Sequence, residues 1–485
     1  MKKKELPSPV PALILLVCLG LLFVPECDDC YFIYWDYASW KDFLLTRPIP
    51  DPGVVLGVPA NGRYLGNLAG VLLGKLYAWP ILRGLTMGGM LAAMVWLLSA
   101  QGKGLSRREG LLLALSLVVL APRGLWQQVC SWGAGMGNYL LPMALVLLMM
   151  KWLEGEKRPA LLFALTAFVA ALCMETVTIW LAAAAAALFV LRLRSGRGRG
   201  EAAALLLGAA AGAACMAAAP GYGQVGSGGD QRSLALALVW DNLPAVVTET
   251  LVLPAAVTAL ISFLLVWLLR RRGRGCWRGF AAALIPLHLF CFWSWAGDLR
   301  LTFSRYTPLT TLAGLLLAGL WAALLVLLRE RGELAALALS LCVLNGPVLL
   351  LGMVRPRNFF PGYVVLCVVA LRLYGQARAE GLSLRFLNCL WPAAAAALVI
   401  VVGIYWRNER VFDQRLALAR ERVQAGQTEL TLPLVPYPGW TVNELPGKGD
   451  LSYLVYRDKP WDVTLTFVPY GEAGPAVREN LRHSP

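Results

Sequence analysis

Long apolar blocks separated by short charged joints constrain this chain more than any other feature. The 485 residues are 58% hydrophobic and only 15% charged, whereas an average soluble domain carries about 25% charged residues. This composition excludes a soluble globular enzyme, and it also excludes a disordered chain, which needs low hydrophobicity. Blocks of about 17–25 apolar residues have the helix length that crosses a hydrocarbon core about 30 Å thick. We therefore expect an all-α polytopic membrane protein.

Hydropathy and chain breaks predict about thirteen transmembrane helices. The first follows the basic segment MKKKELPSPV, which resembles a signal peptide. No small-residue cleavage site follows that segment, so we expect a retained first span. The predicted spans are 9–25, 84–100, 108–122, 139–153, 159–174, 176–192, 202–219, 244–269, 279–296, 308–328, 334–353, 362–377 and 387–405.

Basic residues are concentrated in alternate joints between these spans. With the N-terminus in the cytoplasm, the cytoplasmic joints hold about twice as many Lys and Arg residues as the opposite loops, which sets the orientation by the positive-inside rule. An odd number of spans then places the C-terminal tail outside the cytoplasm. The net charge of +15 is a topology signal with membrane lipids as partners. It does not indicate nucleic acid, because that needs basic residues collected on one water-facing surface.

Two long segments, 26–83 and 406–485, are predicted to lie outside the membrane. The first interleaves Trp and Tyr with acids and includes a partly amphipathic stretch at 64–82, which predicts helices lying along the outer surface. The second changes from helical charge spacing to β-type runs at 431–435, 453–456 and 463–468. We therefore divide the chain into a transmembrane domain, 1–405, and a small α+β extracytoplasmic domain, 406–485.

The acidic pair Asp28-Asp29 directly follows the first predicted span. Desolvation and mutual repulsion at the edge of the hydrocarbon raise the pKa of at least one of two adjacent carboxylates. Acid/base chemistry or binding of a divalent cation such as Mg²⁺ or Mn²⁺ would use such a pair; ordinary polar residues that end a helix are the alternative. Cys27 and Cys30 flank the pair, either as a local disulfide or as a metal pair, but without a second C-x-x-C a zinc site is disfavoured.

Two further positions are candidates for substrate contacts. Glu175 is a lone acid between apolar segments, and ionisable groups at membrane depth are functional candidates by default; capping of the helix that begins at Thr176 is the alternative. In the loop 123–138 and directly after it, Trp132, Asn138 and Tyr139 can stack on and hydrogen-bond a sugar ring. An interfacial aromatic belt explains the same residues equally well.

The loop 220–233 is rich in glycine and contains Asp230 and Arg232. It matches no Walker pattern, because G-K-[ST] is absent. Backbone amides of such a loop can approach a phosphate, and Arg232 is the candidate side chain beside them. A flexible loop without a ligand is the favoured alternative.

Four arginines lie in the late loops predicted to be outside the cytoplasm, where the positive-inside rule leads one to expect few basic residues. The guanidinium fork suits phosphate oxygens, so the natural partner is a lipid-linked phosphate at the outer leaflet, with ordinary headgroup contact as the alternative. His288 and His483 are the only histidines, which disfavours a histidine base. The arginines are Arg300, Arg305, Arg355 and Arg357.

With these residues assembled, the chain resembles the GT-C superfamily of integral-membrane glycosyltransferases, and within it bacterial multi-spanning glucosyltransferase-like proteins. The resemblance rests on Asp28-Asp29 at the start of the first outer loop, on an aromatic loop before the second span, and on roughly a dozen spans. It covers nearly the whole chain in layout but only about ten residues in motif. Weaker similarities are NGRY at 61–64, SWGAGMGNYLLPM at 131–143, ETVTIW at 175–180 and APG at 219–221.

The resemblance implies transfer of a sugar from a polyprenyl-phosphate donor to a cell-envelope glycan or lipid acceptor, on the outer face of a bacterial cytoplasmic membrane. It implies that Asp28 or Asp29 is the general base or a metal ligand, and that some of the four outer arginines hold the lipid phosphate. The chain departs from oligosaccharyltransferases in its short tail and in lacking a W-W-D-x-G signature, which disfavours protein N-glycosylation. The C-D-D-C spelling around the acids is also unusual.

Two other classes of function stay open at this stage. A transporter or flippase for lipid-linked saccharides would place acids and breaks deep in several spans. A non-catalytic membrane scaffold would tolerate neutral substitution of Asp28, Asp29 and the outer arginines. Few predicted buried charges and no visible repeat favour the transferase.

Overall fold

The fold is that of a computed structural model of the full chain, which describes most of its residues. The described residues are 6–26, 29, 32–33, 39–47, 58–59, 61–155, 158–196, 198–224, 235–299, 306–329, 332–442, 447–448 and 464–470.

Helices dominate the described chain. In chain order they are α1 Val10–Leu22, α2 Trp40–Leu45, α3 Tyr64–Lys75, α4 Pro80–Ser99, α5 Arg107–Val119, α6 Arg123–Cys130, α7 Gly133–Glu154, α8 Ala160–Ala171, α9 Glu175–Ser195, α10 Arg199–Ala217, α11 Leu238–Val252, α12 Ala255–Arg271, α13 Trp277–Leu299, α14 Pro308–Leu328, α15 Leu334–Leu350, α16 Pro356–Ala379 and α17 Arg385–Gln424.

Eight of these helices are long and apolar enough to cross a membrane, and the number rises to ten if each of two bent pairs is one span. The chain is therefore an all-α membrane protein. Every predicted apolar block corresponds to a helix or a bent pair, but α1, α8 and α15 have only 10–17 residues, against about 20 for a full span. The expected count of thirteen spans accordingly stays a prediction.

Two bends interrupt the helix bundle. The pair α5 and α6 turns by 89°, and the pair α11 and α12 turns by 64°. Pro122 and Pro254 stand at the two breaks, and proline ends a helix because it lacks the N–H donor and its ring clashes with the preceding turn. Wider π-helical turns lie directly beside the bends, at Trp126–Cys130 and Thr248–Val252. Such turns are rare and often occur at functional sites.

Joints that the sequence places on one side of the membrane contact one another. Arg108 Nε donates to the Pro7 carbonyl oxygen at 2.8 Å, and Arg378 Nε lies 2.8 Å from Glu109 Oε1. Arg272 likewise pairs with Glu380 at 2.9 Å. These contacts connect interhelical segments that are far apart in sequence, and in each contact both segments are predicted to lie on the same side of the membrane. The membrane face to which each end belongs stays a prediction.

The C-terminal part of the described chain forms a small sheet that packs on a long helix. The strands are β1 Thr46–Arg47, β2 Val58–Pro59, β3 Glu429–Pro433, β4 Gly447–Lys448 and β5 Thr464–Val468. The sheet order is β3-β5-β4, with β5 parallel to β3 and antiparallel to β4. Strand β3 overlaps the predicted run at 431–435 and β5 lies within the run at 463–468, whereas 453–456 lies outside the described residues.

Helix α17 runs without interruption through the predicted domain boundary at 405/406. Its C-terminal half packs on the sheet through Phe412 and Leu416, which share a core with Leu432 and Phe467. Val24, which directly follows α1, belongs to the same core. The tail is thereby packed against the start of the membrane part.

Helix α3 packs on α7 through glycines instead of lying on the surface by itself. Gly66, Gly70 and Gly74 are spaced by four residues and so share one helix face. Added Cβ atoms at Gly66 and Gly70 would lie 2.4 Å from Asn138 Oδ1 and 3.2 Å from Ala134 Cα. The close approach brings the first outer loop against the N-terminal end of α7.

Glycine also sets the distance between α1 and α4, which gives a matched pair of variants. A Cβ at Gly88 would lie 2.0 Å from the Val17 carbonyl oxygen, whereas a Cβ at Gly89 would meet nothing within 4 Å. We expect Gly88→Ala to lower the free energy of unfolding by about 1–3 kcal/mol through overpacking. Gly89→Ala should be neutral or slightly stabilising, because alanine has the better helix propensity.

Thermal unfolding of the two detergent-purified variants measures this difference. Equal melting temperatures for Gly88→Ala and Gly89→Ala would contradict the packing of α1 on α4.

Candidate functional site

The carboxylate of Asp29 lies at the N-terminal end of α7 and is completely buried. Its Oδ2 accepts a hydrogen bond from the Gly133 N–H at 3.1 Å, and its Oδ1 accepts one from the Ala134 N–H at 3.0 Å. The first N–H groups of a helix have no partner within the helix, and the helix dipole favours a negative charge there. Asp29 therefore caps α7 from a distant part of the chain.

Arg83 supplies the charge that balances Asp29. Its Nη2 lies 3.0 Å from Asp29 Oδ2, and its Nη1 donates to the Phe23 carbonyl oxygen at 2.6 Å. The Arg83 side chain is only 4% exposed. A buried carboxylate is tolerated when a partner charge and hydrogen bonds compensate its desolvation. The ion pair and the two helix-end hydrogen bonds hold the Asp29 side chain in place, so it is suited to fixing the segment that follows α1.

A second ion pair lies beside the same helix. Arg63 Nε is 2.9 Å from Glu175 Oε1 and 2.8 Å from Oε2, with both side chains about one fifth exposed. The Arg63 guanidinium also lies 6.0 Å from the centre of the Tyr139 ring. Burial alone would lower the pKa of Arg63, but the Glu175 carboxylate raises it above its ordinary value. Glu175 is the first residue of α9, and its carboxylate is the ion-pair partner of Arg63, which stands just before α3.

Amide side chains extend this polar cluster between α3 and α7. Asn138 Nδ2 donates to the Ala134 carbonyl oxygen at 2.9 Å and lies 3.5 Å from Asn67 Oδ1. Asn67 Nδ2 in turn donates to Asn61 Oδ1 at 3.1 Å. Within the described residues the buried Asn138 Oδ1 has no hydrogen-bond partner. A buried acceptor of this kind is costly.

Arg357 reaches the same region from the late outer loop. Its guanidinium carbon lies 5.2 Å from the centre of the Trp132 ring, and its backbone N–H donates to Gln128 Oε1 at 3.4 Å. A cation at this distance is attracted by the ring quadrupole. Trp132 and Tyr139 are only 4% and 2% exposed, so both rings lie in the protein interior. An aromatic belt at the lipid interface does not account for rings buried this deeply.

The C-terminal segment covers the bend between α5 and α6. Arg123 pairs with Asp298 at 3.2 Å and also donates to the Gly439 carbonyl oxygen. Gln127 donates to the Thr441 carbonyl oxygen. The Trp440 ring lies edge-on to Tyr405, with 6.0 Å between ring centres. The tail is therefore packed into the end of the bundle that holds Asp29, through charged and aromatic contacts.

A separate polar cluster surrounds the bend between α11 and α12. Glu249 is 4% exposed and accepts a hydrogen bond from the Tyr306 hydroxyl at 3.0 Å. Asn345 Nδ2 donates to Thr250 Oγ1 at 2.9 Å. Both contacts lie in the π-helical turn or directly against it. A buried acid at a broken helix is an arrangement that membrane transporters use.

The structure brings together six of the predicted site residues and leaves others apart. Asp29, Trp132, Asn138, Tyr139, Glu175 and Arg357 lie on the first turns of α7 or contact them directly or through Arg63. Arg355 is exposed and stands just before α16. Asp28, Arg232, Arg300 and Arg305 lie outside the described residues, as do Cys27 and Cys30.

Several charged residues of the clusters were not among the predicted site residues. Arg63, Arg83 and Arg123 are three of the basic residues in the loops predicted to lie outside, and Asp298 and Glu249 are acids near the ends of predicted spans. Each of the five lies in or next to an apolar block. A lone ionisable residue in that position is itself a functional signal, and it could have identified them.

Within the described residues no group of three or more His, Cys, Asp or Glu side chains could hold a metal ion. Both oxygens of Asp29 already accept hydrogen bonds. The predicted cation site at Asp28 and Asp29 depends on Asp28, which lies outside the described residues.

Comparisons with protein-family models, with curated proteins and with solved structures found no match to this chain. The assignment of function therefore rests on the residues and their geometry.

The buried pair of Arg83 and Asp29 gives a stability prediction. Arg83→Leu leaves the Asp29 carboxylate buried without its countercharge and should lower the free energy of unfolding by about 3–5 kcal/mol. Adding Asp29→Asn removes that charge while keeping an oxygen for the α7 cap, so the double variant should be more stable than Arg83→Leu alone. The measurement is thermal unfolding in detergent.

Lys41→Leu is the matched control, because Lys41 is an exposed cation of the same outer segment. If Arg83→Leu loses no more stability than Lys41→Leu, the ion pair contributes nothing and the structural role of Asp29 is wrong.

Proposed function

We propose that this protein is a GT-C-type membrane glycosyltransferase that moves a sugar from a polyprenyl-phosphate donor to a cell-envelope glycan or lipid. The reaction takes place at the outer face of a bacterial cytoplasmic membrane, with the N-terminus in the cytoplasm and the tail outside. One observation carries the proposal. An acid of the predicted first outer loop, Asp29, and an arginine of a predicted late outer loop, Arg357, approach adjacent residues at the start of α7. Asp29 accepts hydrogen bonds from Gly133 and Ala134, and Arg357 lies against the ring of Trp132.

The proposal divides the labour between the two adjacent acids. Asp29 accepts three hydrogen bonds and has no exposed surface, so it is a positioning residue. This leaves Asp28, the other acid of the pair, as the proposed general base. Asp28 then takes the proton of the acceptor hydroxyl, and the hydroxyl oxygen attacks the anomeric carbon of the sugar. The bond from that carbon to the lipid phosphate breaks with inversion.

Arginine stabilises the negative charge that develops on the departing lipid phosphate. Arg357 is the described arginine best placed for this, because it lies at the α7 cluster while Arg355 points to the surface. Arg300, Arg305 and Arg232 remain candidates from the sequence. Asn138 is the proposed hydrogen-bonding residue for the sugar, because its buried oxygen lacks a partner among the described residues.

A transporter of lipid-linked saccharides is the second candidate, and the bend between α11 and α12 favours it. Glu249 lies there at the π-helical turn with Tyr306. Buried ionisable groups at broken helices mark substrate or ion pathways. The end of the bundle with Asp29 holds more buried charge than the sequence suggested. Buried charge favours a transporter over a non-catalytic scaffold.

The first test compares envelope glycans and lipid-linked sugars by mass spectrometry in the native host and a deletion strain. Complementing variants are Asp28→Asn, Asp29→Asn and, as the matched control, Asp42→Asn from the same outer segment. We expect the deletion to lose one glycan decoration and to accumulate a donor lipid. Asp42→Asn should restore the decoration and Asp28→Asn should not. Restoration by Asp28→Asn at wild-type protein levels would refute the assignment of Asp28 as the base, and restoration by Asp29→Asn as well would refute any catalytic role for the acidic pair.

The second test separates transfer from transport. A detergent-solubilised enzyme has no compartments, so it can transfer a sugar from a polyprenyl-phosphate donor but cannot move it across a membrane. We expect transfer by the wild type in detergent. Arg357→Gln should lower kcat/KM for the donor about tenfold or more, because it removes one charge-assisted contact to the phosphate. Arg385→Gln, an exposed arginine at the other end of the bundle, is the control. Absence of transfer together with lipid scrambling in vesicles that requires Glu249 would establish the transporter instead.

A further inference from the structure

A cavity of about 160 Å³ lies at the end of α7 opposite the Asp29 cluster. It is bounded by the C-terminal ends of α7 and α9 and by the N-terminal ends of α8 and α10. The 22 residues of α7 place the cavity about 30 Å from Asp29 at the usual helical rise. The cavity is therefore separate from the proposed transferase site. The sequence predicts that this end faces the cytoplasm.

The cavity is lined by two arginines and by a pair of aromatic rings. Arg158 and Arg192 line it together with Trp152, whose ring lies 5.7 Å edge-on from Phe163. Neither guanidinium donates a hydrogen bond or forms an ion pair within the described chain, although Glu201 lines the same space. Unpaired guanidinium groups are suited to phosphate oxygens. At about 30 Å³ per water, the cavity has room for roughly five waters, which is enough for a phosphate group.

The surroundings of the cavity favour a lipid as the source of that phosphate. Leu161 on α8 and Leu191 on α9 are 66% and 61% exposed, and both lie within one or two turns of the arginines. Exposed leucines on membrane-spanning helices contact acyl chains. Tryptophan beside the arginines is also typical of headgroup depth. One lipid could therefore place its phosphate in the cavity and its acyl chains on the adjacent leucines.

We propose that this cavity binds the phosphate of an anionic phospholipid of the leaflet opposite the Asp29 cluster, through Arg158 and Arg192. Basic pockets between membrane helices recognise anionic headgroups in this way. The bound lipid would join the ends of four helices, including the short α8. The proposal does not rest on the transferase activity, because it concerns the other end of the bundle.

Native mass spectrometry of the detergent-purified full chain tests the proposal by counting bound phosphatidylglycerol, with phosphatidylcholine and inorganic phosphate as comparison probes. We expect phosphatidylglycerol to bind the wild type about tenfold or more tightly than phosphatidylcholine. The double variant Arg158→Gln/Arg192→Gln should lose that preference. Arg194→Gln is the matched control, because Arg194 is an exposed arginine of the same helix that does not line the cavity.

Glu201→Gln provides a variant with the opposite expected sign. Removing a carboxylate from the cavity should tighten phosphatidylglycerol binding severalfold, which a loss of folding cannot mimic. Unchanged phosphatidylglycerol binding in the double arginine variant would overturn the proposal. So would inorganic phosphate that binds as tightly as the lipid, because the source would then be soluble. Both outcomes are independent of any glycan measurement.

Discussion

The ion pair of Asp29 and Arg83 is the constraint around which one end of the helix bundle is organised. Neither charge could stay in a nonpolar interior alone, because desolvation of an isolated ion costs several kcal/mol. The pair is tolerated because the first two free N–H groups of α7 and the Phe23 carbonyl oxygen complete its hydrogen bonds. One electrostatic requirement thereby joins the first outer loop, α4 and α7.

The two ends of the bundle satisfy their charges differently. At the end with Asp29, two ion pairs are deeply buried. In Arg83 with Asp29 and in Arg123 with Asp298 all four side chains are at most 5% exposed, whereas Arg63 and Glu175 at the same end are about one fifth exposed. At the other end, pairs such as Arg272 with Glu380 are about one third exposed, and surface pairs of this kind contribute little to stability. The helix bends and π-helical turns also lie at the buried end. Irregular backbone at membrane depth needs polar partners inside the protein, which explains why bends and buried charges occur together.

Sequence patterns predicted the helices well and their contacts poorly. Each apolar block became a helix or bent pair, because the bilayer requires every backbone group to be paired within its own segment. The sequence did not predict that α1 and α8 are short, because hydropathy does not show at which residue of an apolar block the helix ends. Asp29 was a candidate because of its place after the first span. Its partner Arg83 was missed because a single basic residue in an outer loop carries no sign of what it will face.

Hydrophobicity and charge spacing alone lead to an all-α membrane protein, to the positions of its helices and to the importance of the first outer loop. These are local properties, since they depend on the free energy of each segment in lipid or in water. Packing alone decided that Asp29 caps a helix more than 100 residues away in the chain, that Trp132 lies beneath Arg357, and that two unpaired arginines share a cavity at the far end of α7. Such pairings arise only when helices distant in sequence approach closely, and no periodicity along the chain encodes which of them will meet.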